Sequence, residues 1–193
     1  MLAVAEDGSA VVPLLGGHHG ANDLARLLAQ ALGTPAAITT AGDLRFGVAL
    51  DSPPPGWRLG NPDDAKSVMA ALLAGAALTL EGDAPWLSNS RLPLAATAPI
   101  TARVTDRAQT GDPQTLIYHP ATLALGVGCE RNCPADALIA LVEKALAEAG
   151  LAPQSIACVT SLDLKADEAA VHALAAHLGV PARFFPAAAL EAE

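Results

Sequence analysis

Two apolar runs in the last third of the chain share one layout. Leu123, Ala124, Leu125 and Val127 form a short apolar stretch that breaks at Gly126 and Gly128. It gives way to Cys129, Glu130, Arg131 and Asn132 before Pro134 opens a helical pattern. A run of this length bounded by turn residues reads as a buried strand. Proline at a first helical turn loses no hydrogen bond, because that N–H has no intrahelical partner. About thirty-five residues later the segment SIACVTSL repeats the layout, with Asp163, Lys165, Asp167 and Glu168 as its polar exit and a second helical pattern behind. The spacing predicts strand 121–127, helix 134–149, strand 155–162, helix 167–178 and strand 182–185. In a parallel sheet both exits lie on one edge, where open α/β sheets bind ligands. A Gly-rich turn that enters a helix also offers backbone N–H groups to an anion.

The first fifty residues read as strand, turn, helix, strand. An extended piece at Val11–Leu15 enters the turn Gly16–Gly17–His18–His19–Gly20, and Asn22 or Asp23 is placed to cap a helix through Leu32 that Gly33 and Pro35 stop. Ala36–Thr40 is the next expected strand, with Thr39, Thr40 and Asp43 at its end. Asp51–Gly56, with three consecutive prolines, marks a linker or rigid corner. Beyond it come an amphipathic helix (Asp63–Leu73), a strand at Ala77–Leu80, and short pieces broken by Pro93, Pro99 and Pro113. ITARVTD and TLIYHP alternate like partly exposed strands. The expected class is α/β: two small doubly wound domains, 1–50 and 121–193, flank a mixed α+β central module at 51–120. The first domain opens on what reads as the second half of a doubly wound unit, so truncation at its start is expected.

Composition narrows the possible partners. The 193 residues are 52% hydrophobic but only 3% aromatic, so Ala, Leu and Val must fill the core. A net charge of −9 argues against nucleic acid or an acidic membrane face as the main partner. Anion binding would need a local cluster of Arg and Lys. No uninterrupted apolar run reaches the ~18 residues of a membrane span, and the acidic start MLAVAEDG lacks a basic leader region. Three cysteines argue against a disulfide framework and fit a reducing cytoplasm. No G-x-G-x-x-G or P-loop pattern is present, which disfavours a nucleotide-binding module.

LGVGCERN, the later SLDLKADE and then LAAHLGVPARFF resemble the C-terminal domain of the CbiG family of cobalamin biosynthesis, a domain that also occurs alone as CobE. LLGGHHGANDLARLLAQALGTPAAITTAGD resembles the family's N-terminal domain, and AKSVMAALLAG with TLIYHP its central module. The resemblance implies a cobalt-precorrin-5A hydrolase, which opens a ring lactone and releases a two-carbon unit as acetaldehyde. It implies a cobalt-precorrin substrate, with cobalt arriving as part of that substrate and no cofactor or protein-bound metal. Other corrin-pathway enzymes, including a fused or associated precorrin methyltransferase, and a second copy of the chain are implied as partners. The family normally extends further at both ends, and His19 stands where a smaller or apolar residue is expected. The rival reading is a non-catalytic corrinoid carrier or pathway partner.

Lactone hydrolysis needs a nucleophile, a base and oxyanion stabilisation, and a precorrin's carboxylates call for cations and backbone N–H groups. Arg131 and Lys165 suit carboxylate capture, although solvated surface charge is the plain alternative. Glu168 is the candidate base, yet an acid in a first helical turn also serves the helix dipole, and for Asp167 capping explains as much as chemistry. Cys129 is a nucleophile only if the helix N-terminus and Arg131 lower its pKa; packing of a small buried side chain is the favoured reading. Cys129 and Cys133 make a weak zinc pattern, and Cys158 reads as core. Gly16, Gly17 and Gly20 let a ligand approach the backbone, and His18 titrates where acid–base work is done. Asn22 either binds ligand or caps the helix. Thr39, Thr40, Gly126, Gly128 and Ser161 complete the expected substrate-binding set.

Overall fold

The computed structural model describes residues 1–16, 20–38 and 41–190. The chain divides into two compact units: one comprises Met1–Pro54, Asn61–Arg103 and Gly111–Leu116, the other Pro55–Gly60, Val104–Thr110 and Ile117–Glu193.

In the first unit β1 (Leu2–Val4) pairs antiparallel with β2 (Val11–Pro13), in register Leu2 with Pro13 and Val4 with Val11. Helix α1 (Ala21–Leu32) lays Ala25 and Ala29 against Val11, and these three residues are buried together. Gly33 ends the helix at φ 64°, a left-handed value, and its N–H closes on Ala29 and Gln30 carbonyls. The expected strand over Ala36–Thr40 reduces, among the described residues, to one parallel bridge between Val11 and Ala36. Pro35 lacks a backbone N–H and two alanines follow it, a poor start for a strand. The chain turns instead into the short helix α2 (Ala41–Phe46). After a 3₁₀ turn at Pro62–Asp64, α3 (Ala65–Leu73) buries Val68 and Leu72 completely. The strand β4 (Leu78–Glu81) runs parallel to β5 (Ile100–Val104), with α4 (Pro85–Ser88) between them.

In the second unit β3 (Trp57–Leu59) lies antiparallel to the later residues of β6 (Thr115–Pro120), Leu59 opposite Tyr118. β6 was expected to be partly exposed. It is buried from Leu116 to His119, because its apolar residues are consecutive and fill both faces. His119 is 2% exposed, with Nδ1 2.8 Å from the Thr105 carbonyl oxygen. The sheet that matters most is β7 (Leu123–Gly126), β8 (Ile156–Leu162) and β9 (Ala182–Phe185), in that order and all parallel.

Helices α5 (Ala135–Ala149) and α6 (Ala169–Leu178) cross over between these strands. The α5 residues Leu138, Val142 and Leu146 recur every fourth position and bury one stripe against Ile156, Val159 and Leu174. Both helices end on left-handed glycines, Gly150 and Gly179. The guanidinium of Arg58 donates to the carbonyls of Leu178 and Gly179, each at 2.9 Å, and so caps α6. A short helix, α7 (Ala187–Leu190), follows β9. The α/β class stands. The winding of this sheet runs in one direction, with α5 packed on α6, so its strand order contains no reversal.

Candidate functional site

β7 and β8 are neighbours and parallel, so their two polar exits do lie side by side. Val127 extends the pairing by donating its N–H to the Thr160 carbonyl at 2.9 Å. Ser161, buried at 6% exposure, donates its hydroxyl to the Val127 carbonyl at 2.8 Å. Gly126 and Gly128 are exposed at the end of β7.

Three bonds tie the exits together, two of them spanning thirty-six residues and one thirty-three. Arg131 Nη1 meets Asp167 Oδ1 at 2.5 Å while its Nη2 donates to the Leu164 carbonyl at 2.9 Å. The Asn132 N–H donates to Glu168 Oε2 at 3.2 Å. Asn132 is the one described non-glycine residue at positive φ, 58°, a conformation Asn tolerates better than most residues. Glu168 is 4% exposed and opens α6 with extended backbone. Arg131 is therefore committed to Asp167 and the 164 carbonyl. Lys165, half-buried, is the cation of these exits that makes no ion pair among the described residues.

The Cys129 thiol is pushed above its ordinary value of 9.0, chiefly by burial and then by Cys133 and Glu168, with Lys165 opposing. A lowered pKa was the condition for nucleophilic chemistry there, and Arg131 cannot supply it because it turns to Asp167. Cys129 and Cys133 both pack against the core of α5, α6 and β8, in keeping with a packing role. Asn132 and the Arg131–Asp167 pairing did not stand out in the sequence as connected features. The shared thirty-six-residue offset was the available signal.

The other expected site lies in the first unit. Gly16 and Gly20 have φ of 77° and 82°, and they border a cavity of about 400 Å³ with Met1, Leu15 and Leu24. Gly20 is the cap residue of α1, so Asn22 is not; Asn22 sits inside the first turn at 5% exposure. Gly17, His18, Thr39 and Thr40 lie outside the described residues.

A one-way parallel sheet with joined, polar strand exits defines an α/β protein whose polar side chains gather at one sheet edge. The family model described as "Cobalamin synthesis G C-terminus" matches residues 123–193, and "Cobalamin synthesis G N-terminal" matches residues 1–43. The chain belongs to this CbiG family. It is 56% identical over 73 residues to Protein CobE of Sinorhizobium sp, covering 38% of this chain and 47% of that one. The cobalt-precorrin-5A hydrolase of Priestia megaterium is 26% identical over 203 residues, 93% of this chain and 54% of its own. That of Salmonella typhimurium is 29% identical over 213 residues, 98% and 59% respectively. The chain thus spans about half the length of the curated relatives it matches.

Proposed function

We propose that the chain works in cobalamin biosynthesis as a cobalt-precorrin-5A hydrolase, adding water to the ring lactone and releasing acetaldehyde to leave cobalt-precorrin-5B. The observation that carries this reading is the likeness to two relatives of that name over 93% and 98% of the chain. In this proposal cobalt enters with the substrate, and no other cofactor takes part. Lys165 holds a ring carboxylate beside the Gly126–Gly128 turn. Glu168 is the candidate base: one of its oxygens is engaged by the Asn132 N–H and the other makes no bond to described residues. In the first unit His18 is the candidate acid–base residue, and Gly16, Gly17, Gly20, Asn22, Thr39 and Thr40 are candidate substrate-binding residues.

The reaction is assigned to the reducing cytoplasm, consistent with three free cysteines and with no described helix being long and apolar enough to cross a membrane. A precorrin methyltransferase, fused or associated, and a second copy of the chain are its proposed partners. Complementation tests the reading: a strain lacking its own cobalt-precorrin-5A hydrolase is expected to recover cobalamin synthesis when it carries this chain. Failure to recover, with the protein present and folded, would point to the carrier reading.

A further inference from the structure

We propose that the face of the β7-β8-β9 sheet opposite α5 and α6 seats the flat tetrapyrrole ring, with Gly126 and Gly128 as its bare floor and Arg183 binding a ring carboxylate. This rests on the hydrolase reading above. The strand register sorts the two faces. Leu125, Val159 and Phe184 face the core formed with α5 and α6, so their strand neighbours face the other way. Gly126 pairs with Thr160, which pairs with Arg183, and Leu162 pairs with Phe185, all on that opposite face. Parallel sheets are normally covered on both faces. A second helical layer would need a continuous aliphatic stripe like that of the first, whereas Ala124, Cys158, Gly126, Thr160 and Arg183 precede the apolar pair Leu162 and Phe185 on this face.

The glycines are the sharper clue. Neither Gly126 nor Gly128 has a left-handed φ. A Cβ at Gly128 would meet nothing within 4 Å, and one at Gly126 only Thr160 Oγ1 at 3.7 Å, an ordinary contact. Glycine weakens a strand through its backbone entropy, and nothing among the described residues requires it at either position. An external group lying close to the backbone does. Arg183 is exposed and makes no ion pair among the described residues, and on a chain of net charge −9 an anionic ligand needs such a local cation. Phe185, two positions from Arg183 and on the same face, supplies an apolar contact for the ring.

The test uses the full chain and its Gly126→Val and Arg183→Gln variants. Cobyrinic acid, a corrin with free side-chain carboxylates, is titrated by absorbance, cobalt-precorrin-5A turnover is followed as acetaldehyde, and thermal unfolding is recorded. Gly126→Val is expected to keep or raise the Tm, since valine suits a strand, yet to weaken cobyrinic acid binding and raise KM at least tenfold. Arg183→Gln should weaken cobyrinic acid but not a corrinoid whose side chains are all amides. Turnover by the wild type with both variants unchanged would overturn the seat and leave the hydrolase reading intact. Absent turnover, with cobyrinic acid bound and lost on Gly126→Val, would do the reverse. A wild type that binds no corrinoid refutes the seat, as does a Gly126→Val change in oligomeric state at unchanged affinity.

Discussion

Removing the Glu168 carboxylate should loosen the join between the two strand exits. Glu168 is nearly buried, at 4% exposure, and its Oε2 takes the Asn132 N–H at 3.2 Å. A hydrogen bond to a charged group contributes about 1.5–3 kcal/mol, and an acid at a helix N-terminus adds about 0.3–1 kcal/mol. Glu168→Ala loses both and should cost the second unit about 2–4 kcal/mol. Glu168→Gln keeps an acceptor of the same size and loses only the charge, so about 1 kcal/mol is expected. The two units need not unfold together, so a single transition cannot be assumed. Trp57 lies in the second unit and Trp86 in the first, and a Trp86→Phe background makes Trp57 the sole tryptophan reporter. Urea unfolding at pH 7 followed by that fluorescence gives the stability, and amide exchange at Asn132 gives the local effect. Glu168→Ala within about 0.5 kcal/mol of wild type, with unchanged protection of the Asn132 amide, would refute the tie.

Three further outcomes follow from single contacts. Arg58→Ala removes both bonds to the end of α6, at 2.9 Å each, and should destabilise the second unit by about 1–3 kcal/mol in the same unfolding assay; Arg58→Lys should recover less than half, because an ammonium cannot reproduce the planar fork. The Asp167 carboxyl is held below its ordinary 3.8, chiefly by the hydrogen bond from Arg131. A depressed carboxylate stabilises the fold fully above its unfolded value and loses that effect as pH falls through the lower folded one. Asp167→Asn should therefore flatten the stability–pH curve below about pH 4 and leave its shape near pH 7 unchanged. Burial, Cys133 and Glu168 keep the Cys129 thiol protonated, so iodoacetamide at pH 8 should alkylate it more slowly than a free cysteine, and Glu168→Gln should speed that reaction. Peptide mass mapping reads both rates.

The C-terminal sheet was legible because its strands are short apolar runs with glycine and polar residues at their ends. β8 spans Ile156–Leu162 against an expected 155–162, and β9 matches the expected 182–185. The first unit was harder to read. Gly20 rather than Asn22 caps α1, a choice made by a left-handed backbone that no side-chain preference reveals. Thr39 and Thr40 were expected on a strand whose described part is a single bridge at Ala36. At the site, the sequence showed Arg131 and Lys165 as equivalent cations. Three-dimensional pairing divides them: Asp167 takes Arg131, and Lys165 makes no ion pair among the described residues. The sign of the Cys129 shift was equally out of reach, since it depends on burial and on Glu168, thirty-nine residues away in the chain.

Acetaldehyde release from enzymatically made cobalt-precorrin-5A tests the hydrolase reading most directly. Purified chain should release acetaldehyde above the no-protein control, in step with the mass change to the delactonised product. A folded chain that shifts the corrinoid spectrum on mixing but releases none, where the Salmonella typhimurium relative does, would contradict it.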